Sequence, residues 1–124
     1  MILGPSGCGK SSLSLAAMVA SDIRLVSDDR TILRLAGGGL IATAPPSIAG
    51  LIEARGIGLL GAEPASSAEV LLAVDLSRDA PERLPPPATW SILNCAVPMI
   101  AGRDWRALVG PVVQILRAGL PRDV

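Results

Sequence analysis

The chain contains no histidine, tyrosine or phenylalanine, and its whole aromatic content is Trp90 and Trp105. A core without phenyl rings has to be assembled from Leu, Ile, Val and Ala. Cysteine is nearly as scarce: Cys8 and Cys95 form no disulfide framework, and a reducing cytosol is the expected compartment. Neither sign of charge dominates, since 11 basic residues balance 11 acidic ones. That balance leaves no electrostatic footprint for nucleic acid or an anionic membrane. Long apolar runs are missing too. The uncharged stretches Leu35–Ile52 and Pro85–Gly102 are broken by Pro and Gly and make no spanning helix. Met1-Ile2-Leu3 is too short for a signal peptide and lacks its basic region. What remains is a soluble, cytoplasmic chain with no nucleic-acid or membrane partner. Half of its residues are hydrophobic and 18% are charged, so it folds rather than staying disordered. Its 124 residues fit a single domain over 1–124.

Met1–Leu3 reads as the end of a strand entering a glycine loop. Lys10–Ala20 follows as a helix, with Leu13, Ala16, Ala17 and Ala20 at helical spacing. Ile23–Val26 reads as a strand ending at Asp28 and Asp29. Thr31–Leu35 and Leu40–Ala44, joined by Gly37-Gly38-Gly39, predict a hairpin. Gly50–Gly58 is a glycine-punctuated segment, Glu63–Ser67 a polar loop, and Val70–Leu76 a strand buried by its Leu and Val content. Ser77–Thr89 carries four prolines and reads as a long surface loop. Ile92–Ala96 and Val97–Ile100 read as short strands separated by a bend. Asp104–Ala118 is a helix that Pro111 must kink or restart. Strands mixed with helices place the chain in the α/β class, with no repeats and no second domain.

The loop Gly4-Pro5-Ser6-Gly7-Cys8-Gly9-Lys10-Ser11-Ser12 fits the pattern G-x-x-x-x-G-K-[ST] between a strand and a helix. Consecutive backbone N–H groups and the positive end of the helix hold phosphate oxygens there. Lys10 would reach the outer phosphates, and the Ser11 hydroxyl would ligate Mg²⁺. Such a loop needs a carboxylate for the metal or the nucleophile. Two strand ends compete for that role: Asp28 with Asp29 after RLVS, and Asp75 after LLAV. Asp75 is also well placed to close a turn before Ser77, the reading favoured for it. Glu53 and Arg55 lie two residues apart in GLIEARGIG, on one side of an extended backbone; a surface ion pair is the alternative reading. Arg83, taken alone, is a solvated charge in a loop.

Together, GPSGCGKSSLSLA, RLVSDDRTILR, APPSIAGLIEARGIGLL and VLLAVDL followed by PERLP resemble the catalytic domain of HPr kinase/phosphorylase. They come in the family's order and extend over nearly the whole chain. The likeness is greatest to the short alphaproteobacterial form, which lacks the regulatory N-terminal domain. The E-x-R-G-x-G signature at Glu53–Gly58 and the acid pair after the first helix are its most specific elements. The resemblance implies an α/β P-loop kinase fold of the HPr kinase/phosphoenolpyruvate carboxykinase type, a mixed sheet flanked by helices. It implies phosphorylation of a serine of HPr, the phosphocarrier of the sugar phosphotransferase system, and full-length members also remove that phosphate with inorganic phosphate. ATP would be held by Gly4–Ser12 with Lys10 on the phosphates and Ser11 on Mg²⁺. Asp28 matches the general base, Asp29 and Glu53 acids near the metal, and Arg83 an arginine of a mobile loop that assists transfer. The resemblance also implies a hexameric homo-oligomer. The chain departs from the pattern before the loop, where the family carries one or more strands and a histidine, so its first strands read as truncated. Two rival readings stay open: a nucleotide- or HPr-binding remnant without catalysis, and a general P-loop ATPase or small-molecule kinase using Asp75.

Overall fold

A strand buried on both faces needs a layer on each side, and the buried run Leu72–Leu76 sets that requirement for this chain. The computed structural model describes residues 1–122. In chain order its elements are β1 (Ile2–Leu3), α1 (Lys10–Ala20), β2 (Ile32–Ala36), β3 (Gly39–Thr43), a 3₁₀ turn at Pro46–Ile48, β4 (Leu51–Ala54), β5 (Gly58–Gly61), β6 (Ala68–Glu69), β7 (Ala73–Asp75), β8 (Ala88–Ile92), β9 (Cys95–Ala101) and α2 (Trp105–Ala118). A four-stranded mixed sheet runs β1-β7-β9-β8: β7 is parallel to β1 and β9, and β8 is antiparallel to β9. A second, antiparallel sheet runs β2-β3-β6, and β4 with β5 forms a separate hairpin.

Side chains alternate across β7 and its flanks, so successive residues serve different layers. Leu72, Val74 and Leu76 pack with Leu13 of α1 and Val112 of α2. Ala73 faces the other way, into a cluster with Leu40 of β3 and Val97 of β9. The result is three layers: two helices, the mixed sheet, and the β2-β3-β6 sheet. Ile2 and Ile100 join the helical cluster while Leu3 and Met99 join the other, extending the alternation to β1 and β9. Leu13, Leu40, Ile52 and Val74 are the most completely buried large side chains, all aliphatic as the lack of rings requires. The α/β architecture with a mixed sheet and flanking helices agrees with the expectation from sequence. Among the described residues no helix is long and apolar enough to cross a membrane.

Several local readings change, and the strand read over Val70–Leu76 shortens to Ala73–Asp75. Ile23–Val26 is not a strand: Leu25 makes a single bridge with Pro64, through Leu25 N–H to Glu63 O and Ala65 N–H to Leu25 O. The glycine-punctuated segment is a true hairpin, with Glu53 opposite Leu59 and Ala54 opposite Gly58. The bend expected at Ala96–Val97 lies instead at Leu93–Asn94, where both residues have positive φ (50° and 58°). Residues 95–101 are then one unbroken strand, β9. Of the kink or restart expected at Pro111, the restart is excluded, since α2 is one helix from Trp105 to Ala118. Pro111 is exposed, so the Ala107 carbonyl left without its helical donor faces water rather than the core.

Candidate functional site: a glycine loop and its carboxylate

The loop Gly4–Ser12 connects the end of β1 to the start of α1, so its position is fixed by a sheet on one side and a helix on the other. Gly9 stands at the helix N-cap with φ 104°, a left-handed conformation that a side chain would strain. A Cβ there would also collide with Cδ1 of Trp105, because the indole ring lies directly against the loop. Trp105 opens α2, where Asp104 accepts the Arg106 N–H at 3.1 Å and the Arg106 guanidinium stacks 4.7 Å over the ring. Two helices thus support the loop. The first helical bond of α1 runs from Leu13 N–H to Gly9 O, leaving the amides of Lys10, Ser11 and Ser12 without helical partners. Lys10, the chain's only lysine, donates from Nζ to the carbonyls of Gly4 (2.7 Å) and Pro5 (3.1 Å).

Asp28 accepts two bonds, one of them from this loop. The Ser11 hydroxyl donates to Asp28 Oδ1 at 2.6 Å, and the Glu53 backbone N–H donates to Oδ2 at 2.9 Å. One carboxylate therefore ties α1 to β4. The Ser27 hydroxyl donates to the Arg30 carbonyl, curling the chain around the acid pair. Asp28 is half-buried against the loop while Asp29 is exposed, so the neighbouring acids have different surroundings.

A cleft of about 1310 Å³ opens on these residues and is lined by Ser6–Ser12, Asp28, Asp29, Glu53, Arg55 and Trp105. Its lining also includes Leu72 beside β7 and Leu120 after α2. Gly4 and Pro5 form the back of the loop outside its lining, and Arg83 lies on the exposed segment between β7 and β8, also outside it. Asp75 is elsewhere too. Its Oδ1 accepts from Ser77 N–H (2.9 Å) and Ser77 Oγ (2.6 Å), and its Oδ2 meets Arg78 Nε at 3.1 Å. Burial raises the Asp75 pKa, but the two Ser77 bonds and the Arg78 charge outweigh it and hold the carboxyl below its usual range. Asp75 thus closes the turn after β7.

Two residues of the cleft were not singled out for it by sequence. Trp105 carried no local signal, since its contact with Gly9 depends on how α2 packs. Arg55 did carry one, its two-residue spacing from Glu53, but that spacing also fits a surface ion pair. Among the described residues no group of three or more His, Cys, Asp or Glu side chains is placed to hold a metal. A serine hydroxyl beside one carboxylate suits Mg²⁺, which keeps waters and takes phosphate oxygens rather than a full protein cage.

No family model matches the chain. An HPr kinase/phosphorylase of Clostridium botulinum is 38% identical over 60 residues, and one of Exiguobacterium sibiricum is 47% identical over 60 residues. In both cases the match covers 48% of this chain and 19% of the relative, so the chain matches about a fifth of the length of these proteins. The fold compares more widely: the Hpr(Ser) kinase/phosphatase of Coxiella burnetii superposes with TM-score 0.75 at 29% identity, over 94% of this chain and 79% of that one.

Proposed function

We propose, for a chain that is HPr kinase catalytic-domain-like in sequence and in fold, that it transfers the γ-phosphoryl group of ATP to a serine of an HPr-like phosphocarrier protein. The observation that carries this reading is the Ser11–Asp28–Glu53 linkage, which holds a carboxylate at the phosphate loop. Gly4–Ser12 binds the triphosphate through its backbone amides and the N-terminus of α1, and Lys10 moves from its carbonyl partners to the outer phosphates. Ser11, with Asp29 and Glu53 nearby, would hold Mg²⁺, which supplies charge to offset that of the phosphates.

A serine hydroxyl is a weak nucleophile and needs a base within hydrogen-bond reach. Asp28 fills that role: each of its oxygens spends one lone pair on Ser11 or Glu53 and keeps another for the incoming hydroxyl. As the serine oxygen bonds to the γ-phosphorus, the bond to the β–γ bridging oxygen breaks, ADP leaves, and the proton passes to Asp28. Arg83, on its exposed loop, would reach the transferring group when HPr docks. The rival use of Asp75 is disfavoured because that carboxylate is spent on Ser77 and Arg78.

The test is incubation with ATP, Mg²⁺ and HPr, followed by mass analysis for phosphoserine. A single added phosphate on one HPr serine supports the proposal. Nucleotide binding without phosphoserine would instead leave a binding protein, and loss of turnover in Asp75→Asn alone would point to a general P-loop ATPase.

A further inference from the structure

We propose that Arg55 is a second phosphate-binding cation of the site, acting on the terminal phosphate from the wall of the cleft opposite α1. The inference rests on the nucleotide-binding reading above. Its basis is a close approach: a Cβ built on Gly7 would lie 3.4 Å from both Nη1 and Nη2 of Arg55. The fork of the guanidinium therefore faces the tip of the glycine loop, the part whose amides cradle phosphate. Gly7 has φ 86°, a left-handed conformation that a side chain would strain, and it brings the loop tip within van der Waals reach of the guanidinium.

The placement is built into the fold. Arg55 directly follows β4, whose Ile52 and Ala54 are buried on one side. On the same strand the Glu53 amide is bonded to Asp28, so the register of β4 fixes Arg55 relative to the loop. Ile57 N–H donates to Ala54 O at 2.9 Å and closes the turn that carries Arg55. Among the described residues, no carboxylate lies within ion-pair distance of Arg55. The ion pairs there are Arg78–Asp75 and Arg103–Asp79. The pairing with Glu53 that spacing allows is not made. A cation aimed at a phosphate loop and without a carboxylate partner is arranged for an anion. A planar fork suits a terminal phosphate, which presents two oxygens at once. Lys10 occupies the Gly4–Pro5 side of the loop and Arg55 the Gly7 side, so together they bracket it.

Calorimetric titration of ATP and ADP, each with Mg²⁺, into the parent chain, Arg55→Met and Arg55→Lys tests this. The expected result is that Arg55→Met weakens ATP at least tenfold and ADP less than threefold, while Arg55→Lys recovers part of the ATP affinity. Equal ATP and ADP affinities in Arg55→Met and the parent would overturn the inference and leave the nucleotide reading intact. A parent chain that binds neither nucleotide would overturn both. Arg55 is exposed, so all three proteins should melt at similar temperatures and a folding defect is separable from lost recognition.

Discussion

Asp28 and Asp75 both follow apolar stretches, yet their surroundings give them different work. Asp28 is bonded to a loop hydroxyl and a strand amide and faces the cleft. Asp75 is enclosed by its own turn. Asp28→Asn should therefore lower phosphoserine formation by roughly 10²–10⁴-fold while ATP binding changes little, as measured by single-turnover transfer and calorimetry. Asp75→Asn should keep transfer within a few-fold of the parent and instead cost about 1–3 kcal/mol of stability, because buried hydrogen bonds to a charged acceptor are weakened. The exposed Arg78 adds little to that figure. This cost depends on pH. The folded state holds the Asp75 pKa below its usual value, so folding favours the ionised form. Its contribution is present above about pH 4, the ordinary carboxylate pKa, and is lost as pH falls through the lower folded value. Urea melts at pH 7 and near pH 3 should show the gap between parent and Asp75→Asn closing on acidification.

At the scale of elements, the β8–β9 hairpin turns on two left-handed residues, Leu93 and Asn94. That geometry matches the right-handed twist of the flanking strands, but it strains a branched side chain by about 1 kcal/mol. Leu93→Asn should raise stability by roughly 0.5–1 kcal/mol, seen as a melting temperature higher by about 2–4 °C. Leu93 shows why this turn was hard to read in advance: only Asn94 in Ile-Leu-Asn-Cys favours a turn, and the apolar content of Ile92–Ile100 runs through it. The opposite error occurred at Ile23–Val26. Its composition favours a strand, but a strand needs a partner over several residues, and here only Leu25 finds one. Elements whose signal is local were legible. Lys10–Ala20 matches α1 end to end, and the triple glycine marks the β2–β3 hairpin within a residue or two. The β4–β5 hairpin is harder to read, because the glycines of Gly50–Gly58 mark breaks without showing which residues pair across them.

The whole molecule is a sheet with helices on one face and a second sheet on the other, and the cleft opens where the loop, β4 and α2 converge. A ligand bound there touches elements from several layers and should stabilise the folded state as a unit. ATP with Mg²⁺ at a hundred times its Kd should add about 2.7 kcal/mol to the unfolding free energy, whereas AMP, lacking the outer phosphates, should add far less. Thermal melts at a series of nucleotide concentrations check this.

The glycine loop, the helix after it, the aliphatic core and the acid pair at 28–29 were determined by sequence alone. Each rests on spacing or composition within a dozen residues, where backbone geometry leaves few options. Tertiary structure decided which carboxylate meets the loop, since Ser11 reaches Asp28 only after α1 and β4 have packed. It also decided that Trp105 is pressed against Gly9 and that Arg55 faces Gly7. Those contacts join residues far apart in the chain, and they are set by the register of strands and the packing of layers, which no local pattern encodes.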